Sequence, residues 1–217
     1  MDLTSFTPSS ALLTVVLLAL APFVAVMVTS FTKLVVVLSL LRNALGLQQV
    51  PPNVVLNGLA LVLSIYVMAP VGLEMGQRLQ GIDNIGASTG SMLKAAETAK
   101  EPLRGFLVKH SRPVEREFFL KTAQRALPPG QAAKLTEQDF LVVVPAFTVS
   151  ELAVAFEIGF LIFLPFLVID LVISNVLMAM GMMMLSPTTV SMPFKLLLFV
   201  LIDGWVKLTH GLILTYL

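Results

Sequence analysis

LVVVPAFTVSELAVAFEIGFLIFLPFLVIDLVISNVLMAMGMMML, residues 141–185, carries three charged side chains along its whole length: Glu151, Glu157 and Asp170. A membrane-spanning helix needs roughly 20 mainly apolar residues. This run therefore holds one or two spans, with Pro145, Gly159 and Pro165 as expected break points. Three other apolar runs accompany it. Ala11–Leu41 exceeds one span and is interrupted by Pro22, Thr29, Ser30 and Lys33, as in a long kinked helix or a broken pair. Val54–Leu73 fits one span, and Phe194–Leu217 fits a last one. The expectation is an all-α integral membrane protein of broken helices and helical hairpins, with about four hydrophobic segments. Prolines 22, 51, 52, 70, 145, 165, 187 and 193 are expected to interrupt these segments repeatedly. Broken backbone at membrane depth is tolerated only where protein or an aqueous cavity surrounds it.

Composition supports this class. The 217 residues are 57% hydrophobic and 12% charged, with a mean hydropathy of +0.91. Soluble domains run nearer ~45–50% apolar and ~25% charged. A net charge of +1 gives no electrostatic case for nucleic-acid binding. The absence of cysteine excludes disulfides, thiol catalysis and thiolate metal sites.

Charge concentrates between Glu74 and Asp139, which hold ten basic and eight acidic residues. This divides the chain into N-terminal hydrophobic helices (1–75), a small charged helical extramembrane domain (76–139) and C-terminal hydrophobic helices with a Met-rich loop (140–217). In the middle domain, Met92, Leu93, Ala96, Ala99, Leu103, Phe106 and Leu107 predict a helix over Ser91–His110, with Pro102 ending or kinking its first part. A second amphipathic helix is predicted over Pro113–Ala126, followed by a break at Pro128-Pro129-Gly130. Acids at Glu137 and Asp139 suit the first turn of the next helix. The middle core is too small to stand alone and is expected to pack on its neighbours. Asp2 replaces the basic start of a cleaved signal, so the N-terminus reads as a retained anchor. By the positive-inside rule, Arg42 and Lys195 are cytoplasmic, and the N-terminus and middle domain lie on the opposite side.

Polar side chains inside apolar runs are the candidate functional residues. Glu151, Glu157, Asp170, Lys195, Asp203 and Lys207 lie within or beside them. An ionised residue at mid-bilayer costs about 2.5–3.5 kcal/mol, so these six face protein, an interface or water. Asp203 and Lys207 are four apart and can pair directly. Glu151 and Glu157 lack a nearby cation; Lys33, Lys195, Lys207 or another subunit must supply one. Met182, Met183 and Met184, led by Met178 and Met180, end the long run before Ser186-Pro187. Unbranched thioethers re-pack around changing contents, as a deformable seal requires.

Other chemistries find less support. Asp170 and Asp203 raise an intramembrane aspartyl protease, but a Gly-x-Gly-Asp pattern is missing. His110 and His210 are isolated, without metal-ligand spacing. The methionines could serve a Cu(I) path, yet adjacent helical methionines point apart and there is no upstream Met-rich loop. No phosphate-binding loop occurs, and no cofactor or enzymatic activity is expected. A small-solute or metal-ion transporter is the alternative; an internal repeat would favour it, and none is visible.

The ordered series Pro145-Ala-Phe-Thr-Val-Ser-Glu151-Leu, Ala155-Phe-Glu157-Ile-Gly-Phe, Leu164-Pro-Phe-Leu-Val-Ile-Asp170, Met180-Gly-Met-Met-Met-Leu-Ser-Pro187, Pro193-Phe-Lys195-Leu and Asp203-Gly-Trp205 closely resembles the SctR/FliP family. Ser30-Phe-Thr-Lys33 and Leu41-Arg-Asn-Ala-Leu-Gly-Leu-Gln-Gln-Val-Pro-Pro-Asn53 extend the resemblance toward the N-terminus. The family comprises inner-membrane export-gate subunits of bacterial type III secretion systems and flagella. The resemblance implies a homo-oligomer, a helically rising pentamer, completed by SctS- and SctT-type partners. It implies a protein-conducting pore for unfolded polypeptides, drawn up above the membrane plane, with no covalent chemistry. It further implies that Met182, Met183 and Met184 form a pore gasket, and that Glu157, Lys195, Asp203 and Lys207 make inter-subunit ion pairs. The missing cleavable signal resembles the virulence branch more than the flagellar one.

Overall fold

A computed structural model describes residues 15–16, 19–20, 22–23, 25–80, 89–182 and 184–217, with 89–96 as backbone only. Among the described residues the fold is all-α. Helix α1 (Phe31–Ala44) is central: Lys33, Leu34, Val37, Leu38, Leu41 and Ala44 are all buried. It follows the polar pair Thr29-Ser30, and the Thr29 hydroxyl accepts the Phe31 N–H. Gly46 ends it at φ +78°. There the Leu47 N–H donates to Arg42 O and the Gly46 N–H to Asn43 O, which satisfies carbonyls that the helix end would otherwise orphan.

Helix α2 (Asn53–Gln80) begins after Pro51-Pro52. Helices α3 (Thr89–His110), α4 (Pro113–Ala126) and the single-turn α5 (Pro129–Ala132) form the charged middle. Helix α6 (Phe140–Ala179) is continuous for 40 residues, about 60 Å at 1.5 Å per residue. Helices α7 (Pro187–Leu201) and α8 (Gly204–Leu214) follow. By length and composition, α2 and α6 can each cross a membrane, and α7 with α8 forms a third candidate bent by 62°. The first hydrophobic segment lies partly outside the described residues, Pro22 being bordered by such positions.

Two expectations about breaks need correction. Pro145 and Pro165 lie inside α6, Pro70 inside α2, Pro102 inside α3 and Pro193 inside α7. Gly159 also lies within α6 without ending it. A proline costs an apolar helix one hydrogen bond. Unwinding the helix would strand several backbone groups without water, which is worse. Conversely, the last apolar run is not one continuous helix, although α7 and α8 together are long and apolar enough for one broken span. It breaks at Ile202-Asp203, where Asp203 takes the left-handed conformation (φ +53°).

Three buried clusters hold these helices. Leu34, Val37 and Leu38 of α1 pack with Leu56 and Ala60 of α2, Ala155 of α6 and Leu212 of α8. Leu41, Ala44 and Leu45 meet Phe166 of α6 and Phe199 of α7. At the other end, Phe106 and Leu107 of α3 meet Val143 and Phe147 of α6 and Tyr216. The middle helices thus pack on the first part of α6, with α3 also against α2. Asp139, ahead of α6, turns its carboxylate back to the Thr136 N–H and hydroxyl (2.6 and 3.0 Å) rather than capping the helix.

Candidate functional site

The deepest charges lie at the middle-domain end. Lys33 Nζ donates to Glu151 Oε1 at 3.2 Å, with both side chains 3% exposed. Helix α1 presents Lys33 and α6 presents Glu151, two elements joined by the first core cluster. Tyr216 closes the group: its hydroxyl donates to Glu151 Oε2, and Lys33 Nζ sits 3.6 Å from its ring centroid. The Tyr216 ring packs beside Phe106 and His110. Each charge is met by its opposite and a hydrogen-bonding or aromatic neighbour, as a buried ion requires. Burial and the charges of Lys109 and Lys33 push His110 down to about 4.

A second cluster lies at the opposite end, where α1 and α6 finish. Lys195 of α7 donates to Asp170 Oδ2 (2.6 Å) and to the carbonyl of Ala44, the last residue of α1 (3.2 Å). An ammonium there meets the negative end of the α1 dipole. The Ser191 hydroxyl donates to Asp170 Oδ1 at 2.5 Å. Together they clamp α6, α7 and the end of α1.

That clamp stands below the methionine segment. Gly181 (φ +72°) ends α6, with the Met182 N–H on Leu177 O and the Gly181 N–H on Met178 O. The chain thereby leaves the helix and projects a short loop before Pro187. Met178, Met180, Met182 and Met184 are all exposed, Met184 completely. Met183 lies outside the described residues.

Glu157 is the third acid of α6. It pairs with Arg112, N-terminal to α4, at 2.7 Å; both are substantially exposed. The Arg112 backbone N–H donates to the Ser150 hydroxyl of the same helix. Arg112 stands outside the apolar runs, whereas the cations expected for Glu157 (Lys33, Lys195 and Lys207) lie within or beside them. Its place at the turn before Pro113 was the available signal. Asp203 and Lys207 are exposed, and among the described residues no ion pair joins them. Only the backbone connects them, Lys207 N–H to Asp203 O. The left-handed Asp203 starts a new helix there, and the i to i+4 side-chain geometry of a continuous helix is lost. Among the described residues no group of three acids or histidines is arranged to hold a metal.

The sequence matches the FliP family over residues 12–212. It is 54% identical over 200 residues to Yop proteins translocation protein R of Yersinia pestis, covering 92% of each chain. It is 52% identical over 210 residues to the hypersensitivity response secretion protein HrcR of Ralstonia nicotianae, covering 96% of this chain and 97% of that one. A "Pathogenicity-related ORF2" of Xanthomonas campestris pv. glycines is 53% identical over 208 residues, 96% of each chain. The match over residues 12–212 takes in the Lys33–Glu151 and Asp170–Lys195 pairs and the methionine segment, and the chain belongs to the FliP family.

Proposed function

We propose that this protein is a core subunit of a type III secretion export gate in the bacterial inner membrane. Copies of the chain, a pentamer in this reading, assemble with SctS- and SctT-type subunits into a pore for unfolded polypeptides. The charged middle segment faces the periplasm. The near-full-length match to the FliP family carries the proposal. Surface chemistry supports it. Val54, Leu73, Phe160 and Leu161 are 82, 68, 65 and 65% exposed, leaving wide apolar flanks for lipid or other subunits. Asp203 and Lys207 lie among exposed Leu201, Ile202 and Val206. Ionised side chains are too costly to leave in hydrocarbon, so a neighbouring subunit that supplies opposite charge accounts for them. Glu157, half-met by Arg112, joins them as a candidate inter-subunit group. Glu151, Asp170 and Lys195 act within the chain, holding α1, α6 and α7 together.

Met182, Met183 and Met184 form the gasket. Several copies around one axis make a ring of flexible apolar side chains that excludes water by dewetting and yields to a passing chain. Native mass spectrometry after co-expression with SctS- and SctT-type proteins tests the assembly. A discrete homo-oligomer that gains these partners is expected. A monomer that ignores them, with substrate-dependent metal or solute uptake, would instead favour a transporter. Replacing the three methionines by alanine is expected to preserve assembly and raise ion leak.

A further inference from the structure

The methionine segment holds the most exposed thioether side chain among the described residues, Met184. Met184 is 101% exposed and Met182 41%, both beyond the end of α6, with Met178 at 56% and Met180 at 60%; Met27, outside the segment, is 46% exposed. Met68, Met75 and Met192 are half-buried by comparison. Met192 faces a cavity of about 310 Å³ beside Gly46–Val50 rather than the loop. A thioether reacts at a sulfur lone pair, so its rate follows access of oxidant to the sulfur.

We propose that Met182 and Met184 are a peroxide-modification site whose oxidation unseals the pore. The consequence for the pore rests on the gasket reading above; the reactivity rests on exposure alone. In the reaction, the peroxide O–O bond breaks and one oxygen forms an S–O bond to the thioether. Sulfur gives up two electrons, and the second oxygen leaves as water. The product is a methionine sulfoxide, polar and chiral where the parent was apolar and pliable, and reversible by sulfoxide reductases. A constriction that stays dry because its lining is apolar gains a strong hydrogen-bond acceptor at every oxidised sulfur. Multiplied over the copies of a ring, this wets the seal.

The test uses the assembled complex in liposomes. Hydrogen peroxide is titrated, and each methionine is followed by peptide mass spectrometry while ion leak is recorded. Met182 and Met184 are expected to oxidise at lower peroxide than Met68, Met75 or Met192, and leak is expected to rise in step. After peroxide is removed, the two epimer-specific sulfoxide reductases supplied with a dithiol, which is oxidised to the disulfide as each sulfoxide oxygen leaves as water, are expected to reverse both. A variant with Met180→Leu, Met182→Leu, Met183→Leu and Met184→Leu keeps an apolar lining of similar volume, and its leak, whatever its level without peroxide, is expected not to rise when peroxide is added. Oxidation of Met182 and Met184 no faster than of Met192 would overturn the site. Rapid oxidation without leak, in a complex whose alanine variants do leak, would overturn the unsealing while leaving the gasket intact. If neither oxidation nor alanine substitution leaks, the gasket reading itself fails.

Discussion

The ammonium of Lys33 sits between a carboxylate and an aromatic face, and none of the three reaches solvent appreciably. Removing one partner of such a group costs more than the pair is worth, because the other charge stays buried and unmet. Glu151→Ala is therefore expected to lower stability by about 3–5 kcal/mol. Lys33→Met with Glu151→Leu is expected to recover most of that loss. Denaturant titration in detergent micelles separates the two; equal losses in the single and double variants would contradict the argument. His110 offers a second test at this scale. Its folded value of about 4 lies below its ordinary 6.5, so between these pH values the unfolded chain binds more protons. Stability then falls as pH drops from 6.5 toward 4, and no further loss from this group follows below. Relative to His110→Gln, the native protein should lose thermal midpoint across that window and run parallel to it elsewhere.

At the scale of elements, two glycines mark close approaches. A Cβ at Gly204 would overlap the Phe199 ring, which is 6% exposed and packed edge-on against Trp205. A Cβ at Gly159 would meet mainly the end of the Leu40 side chain, which can swing aside. Overpacking typically costs about 1–3 kcal/mol. Gly204→Ala is expected toward the upper end of that range and Gly159→Ala toward the lower. Thermal unfolding of both would refute this if their order were reversed. The 62° bend between α7 and α8 depends on the same locality. Asp203 adopts a left-handed conformation that costs a non-glycine residue roughly 1–2 kcal/mol, and Gly204 lets Phe199 close over the corner.

For the whole molecule, the two charge clusters mark two ends. Lys195, Asp170 and the methionine loop lie at one; Tyr216, His110 and the middle helices lie at the other. The Arg112–Glu157 pair ties the start of α4 to α6, so α6 as far as Glu157 belongs to the layer of the charged segment. The remaining stretch, 158–179, measures about 33 Å at 1.5 Å per residue, close to the roughly 30 Å of a bilayer core. The chain lacks cysteine, which makes single-cysteine labelling direct. In membranes containing the chain without partner subunits, Phe156→Cys should react with an impermeant maleimide from the same side as Arg125→Cys. Val168→Cys should be protected. Protection of Phe156→Cys as well would move the boundary.

The sequence by itself determined the class and the limits of the two long middle helices. Apolar run lengths exceeded what water tolerates, and Pro113 and the Pro128-Pro129-Gly130 break act through their own backbone geometry, which needs no distant partner. The left-handed turn at Asp203 escaped because aspartate rarely adopts it, and the interior prolines misled because their cost depends on what surrounds the helix. Sequence also established that acids inside apolar runs need partners. Only the tertiary structure decided which. Glu151 meets Lys33 across 118 positions, Asp170 meets Lys195 across 25, and Glu157 meets Arg112 across 45. Ion pairing depends on distance in space, and that distance is set by the packing of α1, α4, α6 and α7 together, not by any spacing along one helix.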